Sequence, residues 1–267
     1  MHFEYATRAS KGARSYQEDA VMLQGVMDDG TLAAEGDARA PRLTAVLADG
    51  MGGHAGGARA SALACAHFLD TFIASADDGD GPRADDTLAR LTRSLDAAND
   101  AIQAEVDEHP ALAGMGCTLV GAAFAPQGME WVSVGDSPVF LVRDTEIVVL
   151  NEDHSLAPEI DKLAVAGKIS WEAAMSDPRR HFLRSALTGG EIELVDCSMR
   201  PLPLAPGDIV IMASDGIHTL HHDDIREIAL AHSAQGSAAI AEALLQQVAA
   251  RRQPYQDNTT LIVVAVR

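Results

Sequence analysis

Lysine is scarce in this chain. Its 267 residues hold three, Lys11, Lys162 and Lys168, against 39 Asp and Glu, and the net charge is −19. A surface this negative repels nucleic acid and anionic lipid, so neither is expected as a partner. Cysteine is equally rare: Cys65, Cys117 and Cys197 are odd in number, far apart and outside any CxxC pattern. That excludes a disulfide framework or a thiolate zinc site and fits a reducing compartment. No apolar run approaches the ~18 residues of a membrane span, and Met1–Ser10 has no apolar leader core, so a cytoplasmic protein is expected. No Pro- or Ser-rich linker and no repeat divides the sequence, which predicts one domain over 1–267, long enough to bury roughly three quarters of its unfolded surface.

What the chain does have is a stretch built for a purpose. Leu43–Ala48 is an apolar, strand-like run that ends in Asp49, and five glycines then fall within the eight residues 50–57. A carboxylate at the end of a buried strand, beside permissive backbone, is a way to present an acid to a cation. The glycines are not a P-loop, because G-x-x-x-x-G-K-[ST] needs a lysine and none is here. After the glycines the spacing predicts a helix burying Ala62, Cys65, Ala66, Leu69, Phe72 and Ile73. A second helix, 85–108, carries Leu88, Leu91, Leu95, Ala98, Ile102 and Val106 and stops at His109-Pro110.

Strand-like runs are predicted at 2–8, 20–26, 117–124, 130–134, 139–142, 146–150, 193–200, 208–213 and 259–266, with helices at 225–232 and 237–251. Residues 27–42 and 76–86 read as acidic surface loops. Strands and helices come in groups instead of alternating, which predicts an α+β fold of antiparallel sheets covered by helix pairs.

Four further acids stand in the same kind of place as Asp49. Asp215 ends the apolar run 209–213 and precedes Gly216; Asp257 sits just before the last strand; Asp136 lies in the turn Gly135-Asp136-Ser137; Glu18 follows Arg14 by four residues. An Asp-Gly pair alone is an ordinary turn. Five acids at strand ends, with no His or Cys among them, indicate an all-oxygen site for Mg²⁺ or Mn²⁺. An arginine beside such a cluster suits a phosphate substrate.

The order and wording of these motifs resemble the type 2C metal-dependent Ser/Thr protein phosphatases, in particular the bacterial branch. Arg14-x-x-Gln17-Glu18-Asp19, Asp49-Gly50-Met51-Gly52-Gly53-His54, Met115-Gly116-Cys117-Thr118, Gly135-Asp136-Ser137-Pro138, Asp153-His154-Ser155, Ser214-Asp215-Gly216 and Asp257-Asn258-x-Thr260 follow in family order. The resemblance implies a four-layer αββα sandwich with metals in a cleft at one end. It implies that Asp49 bridges two ions, that Glu18 and the Gly50 carbonyl complete one, and that Asp215 and Asp257 hold the other. Asp136 with Asp215 would form a third, weaker site, and Arg14 would bind the substrate phosphate. Asp19, Thr118 and Asn258 would support the ligands or their turns, and 156–181 would be a flap beside the site that selects substrates.

The implied reaction is hydrolysis of phosphoserine or phosphothreonine by a water activated between two metal ions. The partners would be phosphorylated proteins, including a cognate Ser/Thr kinase or its targets, and the chain would act as a monomer. Gln17, Met51 and Pro138 depart from the residues common in parts of the family. The alternative is a phosphatase-like pseudoenzyme that serves as a binding module. A cysteine phosphatase is excluded, because none of the three cysteines begins a C-x5-R motif. His218, His221 and His222 read as a solvated turn, His54 as a structural residue of the glycine turn, and Asp153-His154-Ser155 as too close in sequence to form a triad.

Overall fold

A computed structural model describes residues 1–26, 38–53, 55–75 and 87–267. His54, the 76–86 loop, residues 85–86 of the second predicted helix and most of the 27–42 loop lie outside the described residues.

The strands are β1 (Phe3–Ser10), β2 (Ala20–Val26), β3 (Ala38–Ala40), β4 (Arg42–Ala48), β5 (Gly50–Met51), β6 (Gly116–Cys117), β7 (Leu119–Ala125), β8 (Gly128–Val134), β9 (Val139–Arg143), β10 (Glu146–Val149), β11 (Asp196–Cys197), β12 (Ile209–Ala213) and β13 (Thr259–Val266). The helices are α1 (Ala55–Ala74), α2 (Thr87–Glu108), α3 (Ala157–Val165), α4 (Trp171–Met175), α5 (His222–His232) and α6 (Ser237–Ala250). One sheet has the order β10-β9-β12-β13-β1-β3, and a second has the order β11-β8-β7-β4-β2; β5 and β6 form a short ribbon between elements of the second.

Period-two alternation explains why the sheets stack. In β13, Ile262, Val264 and Val266 point, with Tyr5 of the neighbouring β1, into a core shared with Leu43, Leu47 and Phe124 of the other sheet. The intervening Leu261 and Val263 point the opposite way, onto Ile240 and Leu244 of α6 and Ile225 of α5. β4 divides likewise: Leu43, Ala45 and Leu47 face the other sheet, while Val46 and Ala48 face α1 and α2. Strands apolar on both faces therefore give three stacked cores and four layers, helix–sheet–sheet–helix, as the motifs implied.

Three local expectations change. Ala62 is exposed, and the buried stripe of α1 runs through Ala60, Ala64, Cys65, Phe68, Leu69 and Phe72. Alanine tolerates either face, so it could not mark the register, whereas Phe68 packs its ring over Gly121. Of the expected strand 193–200, residues Asp196–Cys197 alone pair, with Ser133 and Val132 of β8. The predicted loop 27–42 contains β3, which pairs Ala40 with Phe3.

Candidate active site

Strand register carries the acids to one end of the sandwich. Ala48, the last residue of β4, pairs with Ala20, the first of β2, so Asp49 lies beside the Glu18-Asp19 entry to that strand. In the other sheet Ala213 pairs with Leu261 and Ser10 with Thr259, which brings Asp215, Asp257 and the loop holding Arg14 together. Leu119 opposite Val134 sets Asp136 next to Thr118. Arg14, Glu18, Asp49, Asp136, Asp215 and Asp257 all line one cleft of about 810 Å³. Arg14 and Glu18 are near neighbours, but the other four are spread from 49 to 257 along the chain, and both sheets are needed to assemble the six.

Around this floor, neutral side chains hold the acids in place. Thr118 Oγ1 accepts from Asp49 N at 3.0 Å, Thr118 N donates to Asp49 O at 2.8 Å, and Ser137 lies 2.8 Å from the Thr118 hydroxyl. Asn258 accepts from Glu18 N at 2.8 Å and donates to the carbonyls of Lys11 and Tyr16 at 3.0 and 2.9 Å, fixing the arginine loop. Gln17 accepts from Asp19 N at 3.2 Å, a backbone-holding task that its amide performs without touching the acids. Arg14 Nη2 donates to Asp257 Oδ2 at 2.5 Å, with the arginine side chain about half exposed to the cleft. Thr118, Asn258 and Gln17 therefore support the acids through backbone contacts.

Asp19 is held from the other sheet. Its Oδ2 accepts from Ser214 at 2.7 Å, but its Oδ1 is buried without a partner among the described residues, as are Glu18 Oε1 and Asp215 Oδ1. Burying a carboxylate oxygen with no donor is expensive. Burial, then the charges of Asp19, Asp215, Asp136 and Asp257, pushes the Asp49 carboxyl well above its ordinary range. Burial and Asp215 raise Asp136 to about 7, and burial and Asp257 raise Asp215 to about 6.

Unpartnered oxygens, mutual repulsion and an oxygen-only donor set fit a hard divalent cation. Among the described residues, no three His, Cys, Asp or Glu side chains already close into a ligand cage. The oxygens are spread across a floor.

Several contributors hold the site without being among its acids. His154 is buried; its Nδ1 accepts from Gly135 N at 3.2 Å and its backbone N donates to Gly135 O at 3.1 Å, which sets the Asp136 turn. Thus the Asp-His-Ser motif acts by bracing the Asp136 turn. Ser61 on α1 donates to Glu18 O at 2.5 Å. Of the segment 156–181, His181 reaches this cleft, and the opposite wall is formed by residues that follow it: Phe182, Arg184, Thr188, Glu191 and Glu193. Ala157, Met175 and Arg180 of that segment border an adjoining cavity of about 510 Å³, into which Asp136 and Asp215 also open. The exposed His218, His221 and His222 line its far side.

Residues 26–249 match Protein phosphatase 2C. The serine/threonine protein phosphatase PstP of Mycobacterium tuberculosis is 34% identical over 265 residues, which is 98% of this chain and 45% of that protein. The chain thus spans about half the length of this curated relative. The crystal structure of M. tuberculosis PstP/Ppp is similar over 100% of both chains, with a TM-score of 0.75 and 31% identity. A structure of the PstP catalytic domain in complex with two manganese ions has a TM-score of 0.72 and 32% identity, over 100% of this chain and 99% of that one. With matching sequence over most of its length and the same fold end to end, the chain belongs to the protein phosphatase 2C family.

Proposed function

We propose that this chain is a divalent-metal-dependent phosphatase that hydrolyses phosphoserine and phosphothreonine in proteins. The observation that carries this reading is the floor of the cleft: Glu18, Asp49, Asp136, Asp215 and Asp257 gathered from both sheets, with unpartnered buried oxygens, beside Arg14. The manganese-bound PstP relative supports the choice of metal. Because neither sheet supplies the site alone, the chain is read as one catalytic unit.

In this reading Glu18, Asp49 and the Gly50 carbonyl hold one ion, and Asp49, Asp215 and Asp257 hold a second. Asp136 with Asp215 forms a weaker third site. When bound, Mn²⁺ or Mg²⁺ supplies a nucleophilic water at neutral pH and offsets negative charge on the phosphoryl group. The protein's own part is positioning and charge. Arg14, half exposed and reaching in from its loop, releases Asp257 to grip two phosphate oxygens, orienting phosphorus over the carboxylate floor. As the ester bond breaks, the guanidinium stabilises charge on the equatorial oxygens. Thr118, Asn258 and Ser214 keep the acids from moving as that charge develops.

The partners are phosphorylated proteins, a Ser/Thr kinase or its targets among them. Three cysteines outside any disulfide support a cytoplasmic place of work, and among the described residues no helix is long and apolar enough to cross a membrane.

The test is hydrolysis of an aryl phosphate and a phosphothreonine peptide with and without Mn²⁺, with Asp49→Asn alongside. Mn²⁺-dependent release of phosphate, abolished by Asp49→Asn, is expected. Metal-independent turnover, or none on either substrate with Mn²⁺, overturns the reading; the second result leaves a binding module.

A further inference from the structure

The reaction uses the floor of the cleft and leaves its second wall, residues 181–193, without an assigned role. That wall is irregular, bent chain fastened at four points. Leu187 and Cys117 exchange backbone hydrogen bonds of 2.9 and 3.0 Å, which ties the wall to the ribbon carrying Gly50. The buried Asn99 of α2 accepts from Gly189 N at 3.0 Å and donates to Gly190 O at 2.8 Å. Ser185 Oγ, also buried, bonds both backbone groups of Leu194, at 3.0 and 2.9 Å. Arg184 N donates to His154 O at 2.8 Å, so the wall and the Asp136 turn share one brace. A segment held this way is preorganised for contact.

Two carboxylates face the cleft from this wall, Glu191 and Glu193. Both are exposed, and among the described residues neither has an ion-pair partner. The nearby cation, Arg184, is engaged by Glu159 at 3.4 Å. The cleft is thus polarised: a guanidinium stands over the floor where the phosphate sits, and two unneutralised acids stand on the wall beside it. At about 810 Å³ the space far exceeds one phosphorylated side chain, so residues flanking the phosphoserine or phosphothreonine must enter it.

Resting on the phosphatase reading, we infer that Glu191 and Glu193 are specificity residues that select phosphoproteins with Lys or Arg close to the phosphorylated residue. Exposed ion pairs are individually weak, so the two together set a preference of about three- to tenfold. It shrinks with added salt.

The experiment uses three phosphothreonine peptides of equal length whose flanking residues are Arg, Ala or Glu, and matching peptides with a non-hydrolysable phosphonate. kcat/KM for the first set and Kd for the second, by fluorescence anisotropy in Mn²⁺, are measured on the wild-type chain and on Glu191→Gln/Glu193→Gln. The expected order is Arg, Ala, Glu in both quantities, with the Arg-to-Ala ratio falling below about twofold in the double variant. Equal Kd for the Arg and Ala peptides on the wild-type chain overturns the inference, as does a preference that survives the double substitution. Ranked phosphonate binding without any hydrolysis would instead defeat the phosphatase reading and leave the wall's selectivity standing.

Discussion

The hydroxyl of Ser214 donates to Asp19 Oδ2 at 2.7 Å and accepts from Thr260 N at 2.9 Å. Ser214 follows the last residue of β12 in one sheet, and Asp19 precedes the first residue of β2 in the other. One hydroxyl therefore ties the two sheets together at the end where the acids collect.

Removing that tie should be felt twice. In Ser214→Ala, Asp19 loses the donor to its Oδ2 while its Oδ1 is already without one, and Thr260 N loses its acceptor. A loss of about 1–3 kcal/mol in stability is expected from buried groups left unmade. Mn²⁺ affinity should fall several-fold, because the carboxylate array is no longer held across the sheets. Urea denaturation in EDTA and Mn²⁺ titration by calorimetry check both. A variant as stable as the wild type would show that Ser214 does not bridge the sheets.

Asp49→Asn should separate stability from function. Asp49 is buried among Asp19, Asp215, Asp136 and Asp257; burial first, and then their charges, push its carboxyl well above the ordinary range. Replacing it with an amide removes the centre of that repulsion. The metal-free variant is therefore expected to be more stable than the metal-free wild type, by a Tm of about 2–4 °C for each kcal/mol relieved. It should also lose phosphatase activity and most of the Tm increase that Mn²⁺ gives the wild type. Differential scanning calorimetry in EDTA and in Mn²⁺ reads both effects. A lower Tm in EDTA would show that the acids are not in mutual conflict.

How much of this was legible beforehand follows from what kind of information each feature needs. Asp49, Asp215 and Asp257 could be found because each abuts a long apolar run, and strand ends are visible in hydropathy. The patterning showed antiparallel sheets covered by helix pairs, whereas the four-layer order came from the family resemblance; β4, β12 and β13, apolar on both faces, are the physical reason for it. Asp19 was expected to support the ligands or their turns, and its bond to Ser214 fits that; what the sequence did not show is the partner, since Ser214 is almost two hundred residues away in the chain. His154 stands in the quoted Asp-His-Ser motif, but its role, like the parts played by Ser61 and Asn99, rests on backbone contacts with distant segments, and such a brace leaves no local pattern. The wall at 181–193 was missed for the same reason: its fasteners, Asn99, Cys117 and His154, sit on three other elements.

The glycines of the Asp-Gly pairs owe their places to space. A Cβ on Gly216 would strike Asn258 O and Thr259 Oγ1, and one on Gly50 would strike Gly57 O and come within 2.5 Å of Glu18 O. Gly216→Ala and Gly50→Ala should each destabilise the chain by about 1–3 kcal/mol or more, because backbone must shift to admit the methyl. Both should weaken Mn²⁺ binding by displacing Asp257 and Glu18. Gly190→Ala serves as the control, since its added methyl meets only Thr188 Oγ1, at 3.9 Å. Chemical denaturation of the three variants tests the ranking; equal losses for all three would mean that crowding at Gly50 and Gly216 is relieved without cost.

Finally, proton and metal should compete for the floor of the cleft. Burial, then neighbouring carboxylates, raises Asp215 to about 6 and Asp136 to about 7, both above their ordinary value of 3.8. Without metal, the folded chain therefore holds protons that the unfolded chain has already released. Those two groups favour folding fully below about pH 4, and their contribution disappears as pH rises through 6 and then 7. Cation binding needs the same carboxyls deprotonated, so the metal gains where the proton has left. The increase in Tm on adding saturating Mn²⁺ should accordingly be small near about pH 5.5 and large near about pH 8. Because each value is the difference between metal-bound and EDTA-treated protein at one pH, titrations elsewhere in the chain, including the buried His154, largely cancel. Asp136→Asn should flatten the upper part of that rise, between about pH 6 and 8, while leaving the lower part to Asp215. A Tm increase independent of pH across this range would mean that these carboxyls do not receive the metal.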